Sequence, residues 1–142
     1  MNRPFLSALG VGAILAASAC DSNESTKEGD EHDPVRVVLS VNGTAMTGDT
    51  LFLPVGMTDV IVRGTFYNSA DESLDDVETE HFTQLTFDPT TLATAAIDLD
   101  HHYTHSLDVQ GAANAIGTVH IGFGHDALAD EHSLSAPVRI TS

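Results

Sequence analysis

Histidine is the residue type in this chain with the clearest capacity for chemistry. The 142 residues include eight histidines, against only five lysines and arginines together. Three fall in one short stretch and three more lie near the carboxyl end: His101, His102, His105, His120, His125 and His132. Carboxylates lie between the last two, at Asp126, Asp130 and Glu131. Imidazole nitrogen and carboxylate oxygen together suit zinc, copper or nickel, so these histidines are candidate transition-metal ligands.

The carboxy-terminal histidines lie in a pattern typical of a hairpin. Residues 117–124 alternate, with Val119, Ile121 and Phe123 on one face, so His120 is expected on the other face. His125 ends this predicted strand and His132 begins the next, which places both at one end of the hairpin. The sequence therefore predicts a candidate zinc or copper site made of His120, His125 and His132.

The earlier histidines offer further candidates. His101 and His105 are four residues apart, so in an extended segment they lie on one side and His102 on the other. A second interpretation uses the same residues differently: in a chain with almost no lysine, they are structural or solvated surface histidines. Both interpretations stay open, and no cofactor is required by the sequence.

Charge and missing motifs narrow the function classes. Asp and Glu number 21 and the formal net charge is −16, a field that repels nucleic acid and favours cations. The sequence contains no Gly-x-Ser-x-Gly elbow, phosphate loop or His-Glu-x-x-His helix, so no enzyme is expected. The acidic stretch of Asp75, Asp76, Glu78 and Glu80 lacks the turn glycine of an EF-hand, and a solvated loop is the prediction.

The elements that must position the histidines are short strands. From Val35 onward apolar residues alternate with polar ones, and Gly, Pro, Asn and Asp recur at short intervals. About eight strands are predicted: 35–41, 51–53, 58–66, 81–87, 92–99, 103–109, 116–123 and 134–141. Asn42-Gly43 is typical of a tight hairpin turn. This pattern predicts an all-β, antiparallel β-sandwich or barrel in a single domain, residues 35–142.

The amino-terminal segment predicts export. Arg3 precedes an apolar run of about thirteen residues, which suits a signal peptide and is too short for a membrane-spanning helix. Cys20, the only cysteine, follows Ala17-Ser18-Ala19. The segment resembles the lipobox of bacterial lipoproteins, although Ala17 stands where leucine is usual. The same residues also fit ordinary signal peptidase, which would release a soluble protein.

The lipobox resemblance implies an organisation and a location. Residues 1–19 would be a signal peptide, and Cys20 would carry the lipid. Residues 20–34 are polar and acidic, which predicts a disordered tether between the membrane and the folded domain. The expected location is the bacterial cell envelope, on the periplasmic side or the cell surface, with the membrane as one partner and an unknown protein or envelope component as another.

Three stretches resemble the group 2 bacterial immunoglobulin-like domains of intimins, invasins and cell-surface lipoproteins. They are Leu51 to Val60, the corner Asp88-Pro89-Thr90-Thr91-Leu92-Ala93, and Val109-x-Gly111 followed by Gly117 to Ile121. The chain departs from that family in its acidic insert, in the spacing between Gly111 and Gly117, and at Gln84 to Phe87, where tryptophan-serine is usual. The resemblance implies an immunoglobulin-like sandwich of seven to eight strands that serves as a non-catalytic structural or binding module.

Overall fold

The computed structural model describes residues 33–74, 81–125 and 128–142, and these ranges form nine strands and no helix. The strands are β1 Arg36–Val41, β2 Thr44–Ala45, β3 Leu51–Pro54, β4 Val60–Tyr67, β5 Phe82–Asp88, β6 Ala93–Asp98, β7 His101–Val109, β8 Ile116–Gly124 and β9 His132–Thr141. The all-β prediction is confirmed. No helix in these ranges has the length and apolarity needed to cross a membrane. The predicted signal peptide, Cys20 and the acidic run 75–80 lie outside the described residues.

The first turn explains the one strand that the sequence did not predict. Asn42 and Gly43 both have positive φ angles, 48° and 80°, as a two-residue hairpin turn requires. The turn pairs Val41 with Thr44 and Ser40 with Ala45, so the short strand β2 adds to the edge of β1. Elsewhere the predicted strands are present, with ends displaced by up to two residues.

The nine strands form two sheets. One has the order β2-β1-β4-β7-β6 and the other β3-β9-β8-β5. If the edge strands β2 and β3 are set aside, β1-β4-β7-β6 and β9-β8-β5 correspond to the A-B-E-D and G-F-C sheets of a constant-type immunoglobulin sandwich. The sandwich prediction is therefore confirmed at the level of strand order, which describes the fold and carries no function by itself.

One strand pair departs from the predicted antiparallel pattern. β3 runs parallel to β9, with Leu51 opposite Val138 and Leu53 opposite Ile140. The preceding β2 and the following β4 both belong to the other sheet, so β3 enters its sheet by crossing over. No hairpin turn imposes an antiparallel direction on this pair, which explains the difference.

Alternation along the strands builds the core between the sheets. In β4 the residues Val60 and Val62 are buried and Ile61 is exposed, as the sequence predicts. In β8 the side chains of Val119, Ile121 and Phe123 are buried and His120 is exposed, which confirms the predicted faces of that strand. Burying side chains of this size stabilises the fold by about 1.5–3 kcal/mol each.

Aromatic rings join the two sheets near one end of the core. Phe66 of β4 and Phe123 of β8 have ring centroids 5.2 Å apart, and Tyr103 of β7 lies 4.8 Å from Phe66. Phe66 and Phe123 connect the strands that correspond to B and F, which antibody domains link by a disulfide. Ring packing therefore joins these two strands in a chain whose single cysteine allows no internal disulfide.

Candidate functional site

Five of the described histidines lie around the start of β5 and the loop end of the β8–β9 hairpin. They are His81, His102, His105, His125 and His132. We call this set the histidine cluster. The hairpin brings His125 and His132 to the same end of the sheet, as predicted: His125 follows the last residue of β8, and His132 is the first residue of β9.

His105 belongs to the core of the sandwich. Only 3% of its surface is exposed, and its Nε2 lies 2.8 Å from the hydroxyl of Thr83 on the opposite sheet. The Thr83 hydroxyl donates to the carbonyl oxygen of His102 at 2.5 Å, so it accepts the proton of His105 Nε2. Burial lowers the pKa of His105 to about 4, so it is neutral at pH 7. Of the second interpretation's two forms, structural or solvated, His105 fits the structural one.

His102 connects the same two strands from the β7 side. Its Nδ1–H donates to the carbonyl oxygen of His81 at 2.8 Å, and its ring stacks on Phe82 with centroids 4.2 Å apart. Together with the Thr83 bonds, this contact ties β5 to β7 across the gap between the sheets.

His81 and His125 face each other through their Nε2 atoms, which are 3.2 Å apart. Strand pairing creates this contact, because Phe82 lies opposite Gly124 and the next residue of each strand end is His81 or His125. His81 is only 5% exposed, and its ring lies 5.0 Å from that of Phe123. The pair therefore joins one imidazole held by the core to one at the rim.

Glu131 fixes the orientation of His125. The Nδ1–H of His125 donates to the Glu131 carboxylate at 2.6 Å, which leaves Nε2 directed at His81. This hydrogen bond lowers the pKa of Glu131 below its usual value, so the carboxylate is ionised at neutral pH. A carboxylate bound to the far nitrogen is the arrangement that orients histidine ligands in metal sites.

His132 is held by a different carboxylate. Its Nε2 lies 3.1 Å from Asp33 Oδ1, and its ring centroid lies 6.4 Å from that of Phe123. The neighbouring Pro34 is buried. Asp33 and Pro34, the last two residues of the predicted tether, therefore pack against the domain.

The structure does not bring His120 together with the other two predicted ligands. His120 lies opposite Ser135 on the exposed face of its sheet, whereas His132 lies opposite Phe123 and alternates onto the core side. The two imidazoles are therefore on opposite faces. Within residues 33–74, 81–125 and 128–142, no group of three or more His, Cys, Asp or Glu side chains could hold a metal ion.

The second predicted pair, His101 and His105, is also separated. His101 is exposed and its Nδ1 lies 3.3 Å from Asp98 Oδ2, whereas His105 is in the core. A register shift between Ile97 and Asp98 interrupts the ladder between β6 and β7 at this point. The prediction assumed that side chains alternate without interruption from His101 to His105. The irregularity at the start of β7 breaks this alternation, so the two side chains do not share a side.

His81 is the residue of the histidine cluster that sequence reasoning missed. Its position at the start of a strand was predicted, but its partner depends on which strand pairs with β5. Pairing of β5 with β8 was not specified by any turn, because 27 residues separate the last residue of β5, Asp88, from the first of β8, Ile116. The one signal in the sequence was that His81 begins one predicted strand and His125 ends another.

The chain was compared with protein families, curated proteins and solved structures. No protein-family model, curated protein or solved structure matches the chain. The function is therefore argued from the chemistry of the residues themselves.

Proposed function

We propose that this protein is a lipid-anchored component of a bacterial cell envelope whose β-sandwich acts as a non-catalytic binding or structural module. The observation that carries the proposal is the joining of two features: a targeting segment that ends in the only cysteine, and a folded domain with immunoglobulin strand order. A diacylglyceryl group on Cys20, with further acylation of the new amino terminus, would anchor the domain firmly.

The start of the folded domain supports this arrangement. Asp33 contacts His132, and the Val35 N–H donates to the Tyr67 carbonyl oxygen at 2.9 Å. The chain between Cys20 and Asp33 is polar and acidic. Its composition favours an extended, hydrated spacer that would hold the sandwich away from the membrane surface.

The test of the anchor is the state of Cys20. We expect the amino-terminal peptide of the full-length protein, after expression in bacteria, to carry the mass of several acyl chains, and the protein to fractionate with membranes. Cys20→Ser should abolish the added mass and release the protein from membranes. Ser22→Ala, two residues away, is the matched control and should leave both properties intact. An unmodified amino terminus at Cys20 would show ordinary secretion and overturn the anchor.

A second candidate function is transition-metal binding, the alternative that the sequence predicts. One observation favours it: the Nε2 atoms of His81 and His125 face each other at 3.2 Å beside the ionised Glu131. The chain's negative charge would also concentrate cations near the domain.

A further inference from the structure

The most specific chemistry in the described part of the chain is the pair of facing imidazoles. We propose that the Nε2 atoms of His81 and His125 together bind one divalent transition-metal ion, Cu²⁺ in preference to Zn²⁺, while Glu131 orients His125. This inference rests on the second proposed function, metal binding, and is independent of the lipid anchor. It replaces His120 and His132 of the predicted site with His81.

The separation of the two nitrogens fits a shared metal ion. Two metal–nitrogen bonds of about 2.0–2.1 Å place their nitrogens roughly 2.9 Å apart at a right angle and roughly 3.3 Å apart at the tetrahedral angle. The observed 3.2 Å lies between these values. Linear two-coordinate binding would need roughly 4 Å, so the pair is arranged for adjacent positions of a tetragonal or tetrahedral ion.

The two rings are held in place before any ion binds. His81 is packed against Phe123 with 5.0 Å between ring centroids, and His102 donates to the His81 carbonyl oxygen. His125 is oriented by Glu131, which accepts from Nδ1 and so leaves the Nε2 lone pair available for an ion. Fixing both ligands in advance reduces the entropy that binding must overcome.

An ion can reach this position from solvent. The side chain of His125 is 50% exposed and that of Glu131 is 44% exposed, whereas His81 is buried, so an ion would approach the pair from the His125 side. Water or a small anion would complete the coordination shell, because the described residues supply two nitrogen ligands here. Imidazole suits both ions, and the general order of divalent affinities favours Cu²⁺ over Zn²⁺.

The alternative to a metal is a shared proton. Without an ion, one Nε2–H donates to the other Nε2 at the same distance, and the pair is a hydrogen bond that closes the end of the core. The two states differ in ligand chemistry, so metal titration and spectroscopy distinguish them.

The experiment is calorimetric titration of the full-length protein in detergent with Cu²⁺ and with Zn²⁺. We expect one ion per chain, tighter binding of Cu²⁺, and a Tm raised by several degrees when free Cu²⁺ is about one hundred times the Kd. His125→Ala should weaken Cu²⁺ binding more than tenfold. Glu131→Gln should weaken it about tenfold, because it keeps the size of the side chain and removes its charge.

His120→Ala is the matched control, because it removes an exposed histidine from the same sheet and should leave the Kd unchanged. Electron paramagnetic resonance of the Cu²⁺ complex should show coupling to two imidazole nitrogens, and to one in the His125 variant. Binding that survives His125→Ala would overturn the site while leaving metal binding elsewhere in place. Absence of any binding would overturn both the site and the second proposed function. Neither result bears on the lipid test of Cys20.

Discussion

The two long edges of the sandwich, where one sheet meets the other, are built from different chemistry. At the edge bounded by β5 and β6, side chains of Thr83, His102 and His105 form hydrogen bonds that link β5 to β7 across the sheets. At the edge formed by β1 and β9, a groove of about 450 Å³ is lined by residues that include Val37, Met46 and Leu134. One edge is closed by directional polar contacts, and the other remains open between half-buried apolar residues.

The comparison shows why the histidines gather where they do. Where the sheets close on each other, the buried residue His81 has a backbone carbonyl group that a donor must satisfy, and His102 supplies that donor. Histidine supplies a donor on a ring large enough to fill core space. The open edge leaves its backbone accessible to water and needs no such residues. His105 is therefore a structural part of the fold, and the His81–His125 pair connects the core to the exposed rim.

The largest expected loss of stability comes from removing the ring of Phe123, which packs against the histidine cluster. Phe123→Ala should lower the free energy of unfolding by about 3–5 kcal/mol, because it removes a fully buried ring that packs against Phe66, Tyr103 and His81. Urea denaturation followed by circular dichroism measures this loss. Leu134→Ala, at the open edge, is the comparison variant and should cost about 1 kcal/mol because Leu134 is only half-buried. Equal losses would show that the two edges are equally well packed.

The pH dependence of stability tests the closed edge, because the buried His105 titrates there. Its pKa is about 4 in the folded protein against an ordinary 6.5, so between these values the unfolded chain binds a proton that the folded protein does not. The stability contribution of neutral His105 is therefore fully present above about pH 6.5 and is lost as pH falls to about 4, a change of about 3 kcal/mol. Denaturation curves at several pH values measure it.

The matched variant for this measurement is His105→Gln, which keeps a donor for Thr83 but does not titrate. Carboxylates also titrate toward pH 4, so the relevant quantity is the difference between the pH profiles of the two proteins. We expect the variant to lose less stability between pH 6.5 and 4. Parallel profiles would contradict a neutral His105 in the core.

The smallest expected effect concerns the hydroxyl that links the sheets. Thr83→Val keeps the shape of the side chain and removes both hydrogen bonds, which leaves buried groups of His105 and His102 without this partner. The expected loss is about 1–3 kcal/mol. Thr86→Val, on the exposed face of the same strand, is the control and should change stability by less than about 0.5 kcal/mol. Similar losses from both variants would assign the effect to the strand and not to the closed edge.

Much of the fold could be predicted because its determinants are local. Alternation fixed the inward and outward faces of β4 and β8, and Asn42-Gly43 marked a hairpin turn. The end of the β8–β9 hairpin was also predictable, because only the loop between His125 and His132 separates the two strands. What local patterns did not show was the parallel direction of β3 or the irregularity at Ile97 and Asp98.

The sequence by itself determined which residues could do chemistry and, along the regular strands β4 and β8, which side each residue occupies, because side-chain direction alternates from one residue to the next. Only the tertiary structure decided which histidines meet. His81 and His125 are separated by 44 positions and come together because β5 pairs with β8, while His120 and His132 are separated because they occupy opposite faces of one sheet. Pairing between distant strands depends on how whole apolar faces pack together, and that information is spread over the entire chain.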